Sequence, residues 1–445
     1  MILKIILLTA YFFVPILIFY NFYYKRRKLP PGPTPWPLLG NMLTMLKNPP
    51  GDTLHLKWLK KYGSIYTIWF SEVPVVCVSD YSTIIETFQK DGDTYAGRFT
   101  FEEFDKIFKG GNTGVVMTEG ELWKDQRRFA LHVLRDFGLG KNLMQERITT
   151  EIETLCEKVN GDIEKGIEEH NIAGLIDIGV GSIINGLLFG YRFHDEKEQE
   201  FYELKRHVAN FLSVSAHPMS LLIQYKPHIF KGLPFFKHYY QQMMDMSNEL
   251  MKYFEDRIRD HKQDFNEDEQ VTDYVGAFLK EKAKKDRLGE QHYYTINQLK
   301  GMCFDLWVAG QETTSTTTSW GVAHMIHNPK VQERLHEELD RVIGSSRLIT
   351  VADRPNLPYT CAVINETQRI ANLVPNNVMH KTTRDVTIDR YFFPKGTIIT
   401  PQVSAVLCDD KNFKDAAKFD PTRFLDEKGQ LKRCDELIPF SVGKR

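Results

Sequence analysis

Hydrophobic and polar positions divide the chain into three stretches of different texture. Residues 5–24 carry no charge and number about the 20 needed to cross a bilayer core. Tyr20, Tyr23 and Tyr24 close the stretch as interfacial aromatics do, and Lys25, Arg26, Arg27 and Lys28 follow at once. That basic cluster against the single Lys4 predicts a retained membrane anchor (residues 1–24) with the downstream chain in the cytosol. A cleaved leader fits less well, because the apolar region is too long and no small-x-small site precedes the basic residues. Pro15 is tolerable within a membrane helix. Residues 25–37 form a second stretch, with Pro30, Pro31, Pro33, Pro35 and Pro37 predicting a stiff extended spacer. Residues 38–445 show no linker and no repeat, and read as one globular domain.

Within that domain, Ile65-Tyr66-Thr67-Ile68-Trp69-Phe70 and Val75-Val76-Cys77-Val78 are β-branched and aromatic runs around Glu72-Val73-Pro74, predicting a hairpin. A second small sheet is expected around Thr387-Ile388, Phe392-Phe393 and Thr397-Ile398-Ile399. Most of the remainder has helical periodicity, with a long charged face over residues 249–265. Thr295-Ile296-Asn297-Gln298 predicts a capping box, and the helix it opens should run to Asn328-Pro329, about 50 Å. Met302, Cys303, Phe304, Leu306, Trp307 and Val308 make its centre nearly apolar all round, which predicts burial. Pro329 should start the next helix, with Gly344 ending it. The fold class is therefore mainly α with small β-sheets (α+β).

Composition narrows the chemistry. With 42% apolar residues the chain can bury a large core, and a net charge of −1 gives no field favouring nucleic acid. Cys77, Cys156, Cys303, Cys361, Cys408 and Cys434 are scattered, which suits reduced thiols rather than disulfides or a zinc site. Gly179-Val180-Gly181 opens like a dinucleotide fingerprint but has Ile184 at its sixth place. His324 and His327 have no third partner at metal spacing, so no metal ligand is assigned.

Inside the long helix lies Ala309-Gly310-Gln311-Glu312-Thr313-Thr314. A carboxylate beside a hydroxyl is costly in a buried helix unless partnered or used. Gly310 would let a flat group lie against the backbone. Threonines at 313, 314, 316, 317 and 318 lower helix propensity, so the string calls for a reason beyond packing. Glu366 and Arg369 stand three apart on one helical face, alone an ordinary solvated pair, with Arg423 in Phe419-Asp420-Pro421-Thr422-Arg423-Phe424 further on. Trp123 and Arg127 pair an indole with a guanidinium whose fork suits carboxylates. His380 follows Leu373-Val374-Pro375, and the chain closes on Phe440-Ser441-Val442-Gly443-Lys444-Arg445.

Taken in order, these strings resemble the cytochrome P450 family across nearly the whole chain, most similarly its microsomal, family-2-like animal enzymes. The proline stretch matches the family's hinge, so the resemblance implies a P450 fold behind a transmembrane helix. It implies haem b (iron protoporphyrin IX) as cofactor and insertion of one oxygen atom of O2 into a lipophilic small molecule: a foreign compound, fatty acid or steroid. Electrons would come from NADPH through cytochrome P450 reductase, with cytochrome b5 as a further partner, at the endoplasmic reticulum membrane. By resemblance, Thr313 hydrogen-bonds the oxygen being activated, Glu312 helps pass protons to it, and Gly310 leaves room beside the cofactor. Trp123, Arg127, His380, Arg445 and Arg98 would contact haem propionates, and Phe440 and Gly443 shape the haem loop. Glu366, Arg369 and Arg423 would form the structural triad that precedes that loop. Lys124, Arg128, Arg135 and Lys444 would lie on the face that receives the reductase.

In the family pattern the loop continues past the arginine by one residue and then the cysteine that holds the iron, two residues beyond Arg445. Cys434 precedes Phe440 by six residues instead of following it by seven, and is not at ligand spacing. The 445 residues as written are therefore expected to lack the axial ligand and to be inactive. Three readings stay open: an incomplete or mispredicted gene product of a normal enzyme, a truncated form without catalysis, or a decoy that occupies the reductase.

Overall fold

The computed structural model describes residues 13, 15–48, 52–138 and 142–445, which divide into two compact units. Residues up to 99, 374–418 and 435–445 form the first; residues 100–373 and 419–434 form the second.

The first unit is built on a five-stranded sheet. Its strands are β1 (Ile65–Phe70), β2 (Val73–Val78), β3 (Gly97–Arg98), β4 (His380–Lys381) and β7 (Ile398–Pro401), in spatial order β1-β2-β7-β4-β3. Between them in sequence, β5 (Val386–Ile388) and β6 (Tyr391–Phe393) form a separate two-stranded hairpin. The predicted first hairpin is present with Ile65 opposite Val78, its turn tightened to Ser71 and Glu72, so that Pro74 lies inside β2 opposite Trp69. Ser71 takes the left-handed conformation that such a turn requires (φ +56°). The expected three-stranded second sheet is corrected. Ile398 and Ile399 leave it for the first sheet, where β7 runs parallel to β2 and antiparallel to β4. Alternation along β1 and β2 explains their unbroken apolar character. Tyr66, Ile68, Val75 and Cys77 pack on Leu54 and Trp58 of α1 (Asp52–Tyr62). Ile65, Val76 and Val78 pack on the opposite side with Ile84, Phe88, Ile399 and Val406.

The proline stretch carries no helix or strand over residues 30–35, turns between Trp36 and Gly40, and is no free spacer. Pro31 accepts from the Thr67 amide at 3.0 Å, and a Cβ on Gly32 would meet the Thr67 carbonyl oxygen at 1.9 Å. The stretch therefore lies along β1, and glycine is required at position 32 by that close approach. The anchor expected over residues 5–24 falls largely outside the described residues; residues 15–22 are helical, with exposed apolar side chains. Among the described residues, the helix long and apolar enough to cross a membrane is Ile172–Phe189 of the second unit.

That second unit is helical: α2 (Glu102–Lys109), α3 (Gly120–Asp136), α4 (Ile172–Phe189), α5 (Glu198–Ala216), α6 (Pro234–Asp264), α7 (Ile296–His327), α8 (Pro329–Val342) and α9 (Pro358–Ala371) are its principal helices. The long helix α7 has the predicted ends. Thr295 caps it by accepting from the Gln298 amide at 3.1 Å, and Asn328-Pro329 stops it. The capping box is only half formed. Gln298 does not reach back to Thr295; its side chain bridges instead to the Gly114 backbone and to Gln126. Gly344 follows the end of α8 with φ +69°, in the place glycine favours. Leu299, Met302, Cys303, Phe304 and Trp307 are buried with α4, α5 and α6 residues in one core.

Candidate active site

In α7, burial ends where the polar string begins. Ala309 and Thr314 are exposed and Thr313 is partly so, while Gln311 and Ser315 are buried. The expected burial holds for Met302, Cys303, Phe304 and Trp307, with Leu306 and Val308 partly buried, and the turn from 309 to 314 opens one face. Ala309 and Thr313, four residues apart, share that face. Thr313 donates its hydroxyl to the Ala309 carbonyl at 2.7 Å, and Thr317 and Thr318 donate to the carbonyls of Thr313 and Thr314. These back-bonds satisfy the three hydroxyl donors, and they leave the Thr313 oxygen able to accept.

Gly310 points elsewhere. A Cβ there would lie 2.7 Å from Ile184 Cδ1, the end of a side chain, so the side-chain direction at Gly310 faces α4. Gln311, the next residue, is fixed to α4 by donating to the Asp177 carbonyl at 2.9 Å.

Glu312 is ion-paired. Its carboxylate stands 2.7 Å from Lys205 Nζ of α5, which also reaches Asp177 at 3.3 Å. Neither Lys205 nor Asp177 was found from sequence, because no local pattern joins residues 107 apart. Asp305 was also missed, although a lone acid in an apolar run is a visible signal. It is buried, and one oxygen accepts from the Val115 and Val116 amides at 2.7 and 2.8 Å. Lys109 of α2 stands 3.6 Å from its other oxygen. These bonds fix the loop between α2 and α3 against α7. On α3, Trp123 is buried and the Arg127 guanidinium lies 5.6 Å from its ring centroid.

Glu366 and Arg369, on α9, are fully buried. Arg369 donates to both oxygens of Glu366 at 2.7 and 2.8 Å, and Arg423 Nε and the Asp420 amide donate at 3.1 and 2.9 Å. Four donors on one desolvated carboxylate make this a lock between α9 and the segment around Arg423.

The first unit gathers the remaining candidates. Arg98 in β3 stands directly opposite His380 in β4, a cross-strand pair. Arg98 donates to the Val378 carbonyl at 3.0 Å and Arg445 to the Ala96 carbonyl at 2.9 Å. His380 Nδ1 lies 2.7 Å from the Tyr95 carbonyl, so that nitrogen carries the proton. Burial first, then the nearby Arg98 and Arg445 charges, push the His380 pKa down to about 3. The ring is neutral and two guanidinium groups crowd it, which suits a carboxylate-bearing ligand. Gly443 is demanded by the loop's own packing: its φ is +97°, and a Cβ would meet the Phe88 carbonyl oxygen at 1.8 Å. Lys444 pairs with Asp93, and Phe440 is exposed. Cys434, in the second unit, is partly exposed.

Haem is an apolar disc with carboxylate arms. Within the first unit, the guanidinium groups beside His380 suit such arms. Within the second unit, taken by itself, the Ala309–Thr313 face of α7 is open.

Comparison with known proteins agrees. A profile of the cytochrome P450 family matches residues 30–445. Relatives include cytochrome P450 2C16 of Oryctolagus cuniculus, 34% identical over 420 residues that cover 94% of this chain and 83% of the relative. Cytochrome P450 2H1 of Gallus gallus is 35% identical over 422 residues (95% and 83%), and cytochrome P450 2C11 of Rattus norvegicus 33% over 422 residues (95% and 82%). With the family profile spanning nearly the whole chain, and with a hydroxyl face on α7, a doubly arginine-bound Glu366 and a basic cluster at His380, the chain belongs to the cytochrome P450 family of haem-binding monooxygenases.

Proposed function

We propose that this protein inserts one oxygen atom of O2 into a lipophilic small molecule at the endoplasmic reticulum membrane, with electrons from NADPH delivered by cytochrome P450 reductase. The observation that carries the reading is the opened turn of α7, where Thr313 and Ala309 share a face beside Glu312. Thiolate-ligated haem, when bound, supplies the oxygen-activating chemistry. The protein's own residues bind and orient that group and manage protons. Arg98, His380 and Arg445, and separately Trp123 and Arg127, are suited to the propionates. Thr313, whose proton goes to Ala309, holds an acceptor oxygen toward the opened face. Glu312 carries a carboxylate within reach of solvent and of the Lys205 ammonium, so it can take a proton from water and pass it inward. Phe104, Phe108, Phe211 and Phe304 form an aromatic group around α2, α5 and α7 that suits apolar substrates. An anchor over residues 5–24 would keep the two units on the cytosolic side.

The test is turnover by the haem-loaded protein carrying the loop cysteine, with reductase and NADPH under isotopically labelled dioxygen. One labelled oxygen atom should appear in a lipophilic product. A product formed without oxygen consumption would instead assign an isomerase or dehydratase.

A further inference from the structure

Tyr66 and Cys77 stand opposite each other across β1 and β2, and both are without exposure. His55 of α1 is equally buried and bonds to the phenol. Its Nε2 lies 2.9 Å from Asn376 Oδ1, so that nitrogen carries the ring proton, and Nδ1 accepts from the Tyr66 hydroxyl at 2.8 Å. The Trp58 ring meets Tyr66 edge-on, with centroids 6.1 Å apart, and stands 5.3 Å from the His55 ring. This polar network sits in an otherwise apolar layer with Leu54, Ile68 and Val75, where each polar member costs desolvation.

We propose that Tyr66 is a site of reversible one-electron oxidation, with His55 as its proton acceptor and Trp58 as the ring through which the electron leaves. A phenol that loses an electron becomes a strong acid, and a radical cation is costly in a dry site unless its proton departs too. Here the Tyr66 O–H bond breaks as its proton forms an N–H bond at His55 Nδ1, along the 2.8 Å contact already made. The products are a neutral phenoxyl radical and an imidazolium whose Nε2–H stays on Asn376. One electron returned by a reductant such as ascorbate reverses each change. The oxidant is a one-electron, oxygen-derived species of the class that oxygen activation leaves when no substrate consumes it, and this role rests on the monooxygenase reading. Burial pushes the Cys77 thiol pKa up, so the neighbouring sulfur keeps its proton and does not compete as base. Other phenols lack the arrangement. Tyr191 and Tyr253 both donate to Glu200, a carboxylate already held by Lys197 and Arg257 at 3.4 Å each. The Tyr274 hydroxyl has no partner among the described residues.

The experiment oxidises the full chain with photogenerated ruthenium(III) tris-bipyridine, a one-electron oxidant that needs no haem, so its outcome is independent of turnover and of the monooxygenase reading. A phenoxyl signal in electron paramagnetic resonance is expected, largely lost in Tyr66→Phe and weakened in Trp58→Phe. Its formation should be slower in heavy water and several-fold slower in His55→Gln, and ascorbate should restore unmodified protein. Spin trapping and peptide mapping of the native chain should place the radical on Tyr66, which decides the site even where a variant fails to fold. An undiminished signal in Tyr66→Phe, or a trap on other tyrosines alone, would overturn the site. Formation indifferent to both heavy water and His55→Gln would overturn the proton transfer and leave the pair as a structural bond. Irreversible loss of Tyr66 after ascorbate would overturn the reversibility.

Discussion

Glu366 and Glu312 are both helix carboxylates held by basic side chains in the second unit, and their surroundings differ in kind. Glu366 has no exposure and receives four donors from Arg369, Arg423 and the Asp420 amide. Glu312 is 32% exposed and meets one ammonium, which it shares with Asp177. A desolvated carboxylate with every lone pair engaged cannot move a proton or turn away without stranding two guanidinium groups. A half-exposed carboxylate on a single flexible lysine can do both at small cost. The same residue type is thus a lock in α9 and a movable group in α7, and environment alone makes the difference.

The largest effect expected is at the lock. Glu366→Gln or Arg369→Ala should destabilise the folded protein by about 3–5 kcal/mol, read by chemical denaturation. A loss under about 1 kcal/mol would remove the distinction from surface pairs.

Next comes acid. His380 is held neutral in the fold by burial and by Arg98 and Arg445, with its pKa down to about 3 against an ordinary value of 6.5. The unfolded chain takes up a proton that the folded chain refuses, so stability is full above pH 6.5 and falls as pH drops toward 3. The slope from this group approaches about 1.4 kcal/mol per pH unit. Replacing His380 by Gln should flatten that part of the pH profile relative to the native protein, measured by thermal unfolding from pH 7 to 4.

Asp305 sharpens the comparison from the other side, as a buried acid paired with backbone. Asp305→Asn should cost about 1–3 kcal/mol and speed exchange of the Val115 and Val116 amides. Protection unchanged at those two positions would contradict the bonding described. The smallest stability effect belongs to Glu312→Gln and Lys205→Met, at about 0–1 kcal/mol. Glu312→Gln should nonetheless slow turnover and raise its solvent isotope effect, which a purely structural pair would leave alone.

These contrasts also explain what the amino-acid pattern could reveal. The β1–β2 hairpin, the ends of α7 and the spacing of Glu366 and Arg369 are written in local signals: alternation, caps, prolines and a three-residue step. Strand β7 was recognisable as a strand but not as a member of the first sheet, because alternation does not name a partner. Prolines 30–37 announced an extended chain without saying that Thr67 would receive it. Gly443 was visible as a glycine, while its reason, the Phe88 carbonyl, lies far off in sequence. Lys205 and Asp177 carried no local signal, since a lysine on a helix is ordinarily solvated.

The opened turn of α7 as the oxygen-handling face is tested most directly by the coupling of Thr313→Ala. In the haem-loaded, reductase-coupled enzyme carrying the loop cysteine, product formed per oxygen consumed should fall several-fold while the folded protein loses about 1 kcal/mol or less, the worth of one back-bond to Ala309. Coupling equal to that of the native enzyme would contradict the account and return Thr313 to the role of an ordinary helical threonine.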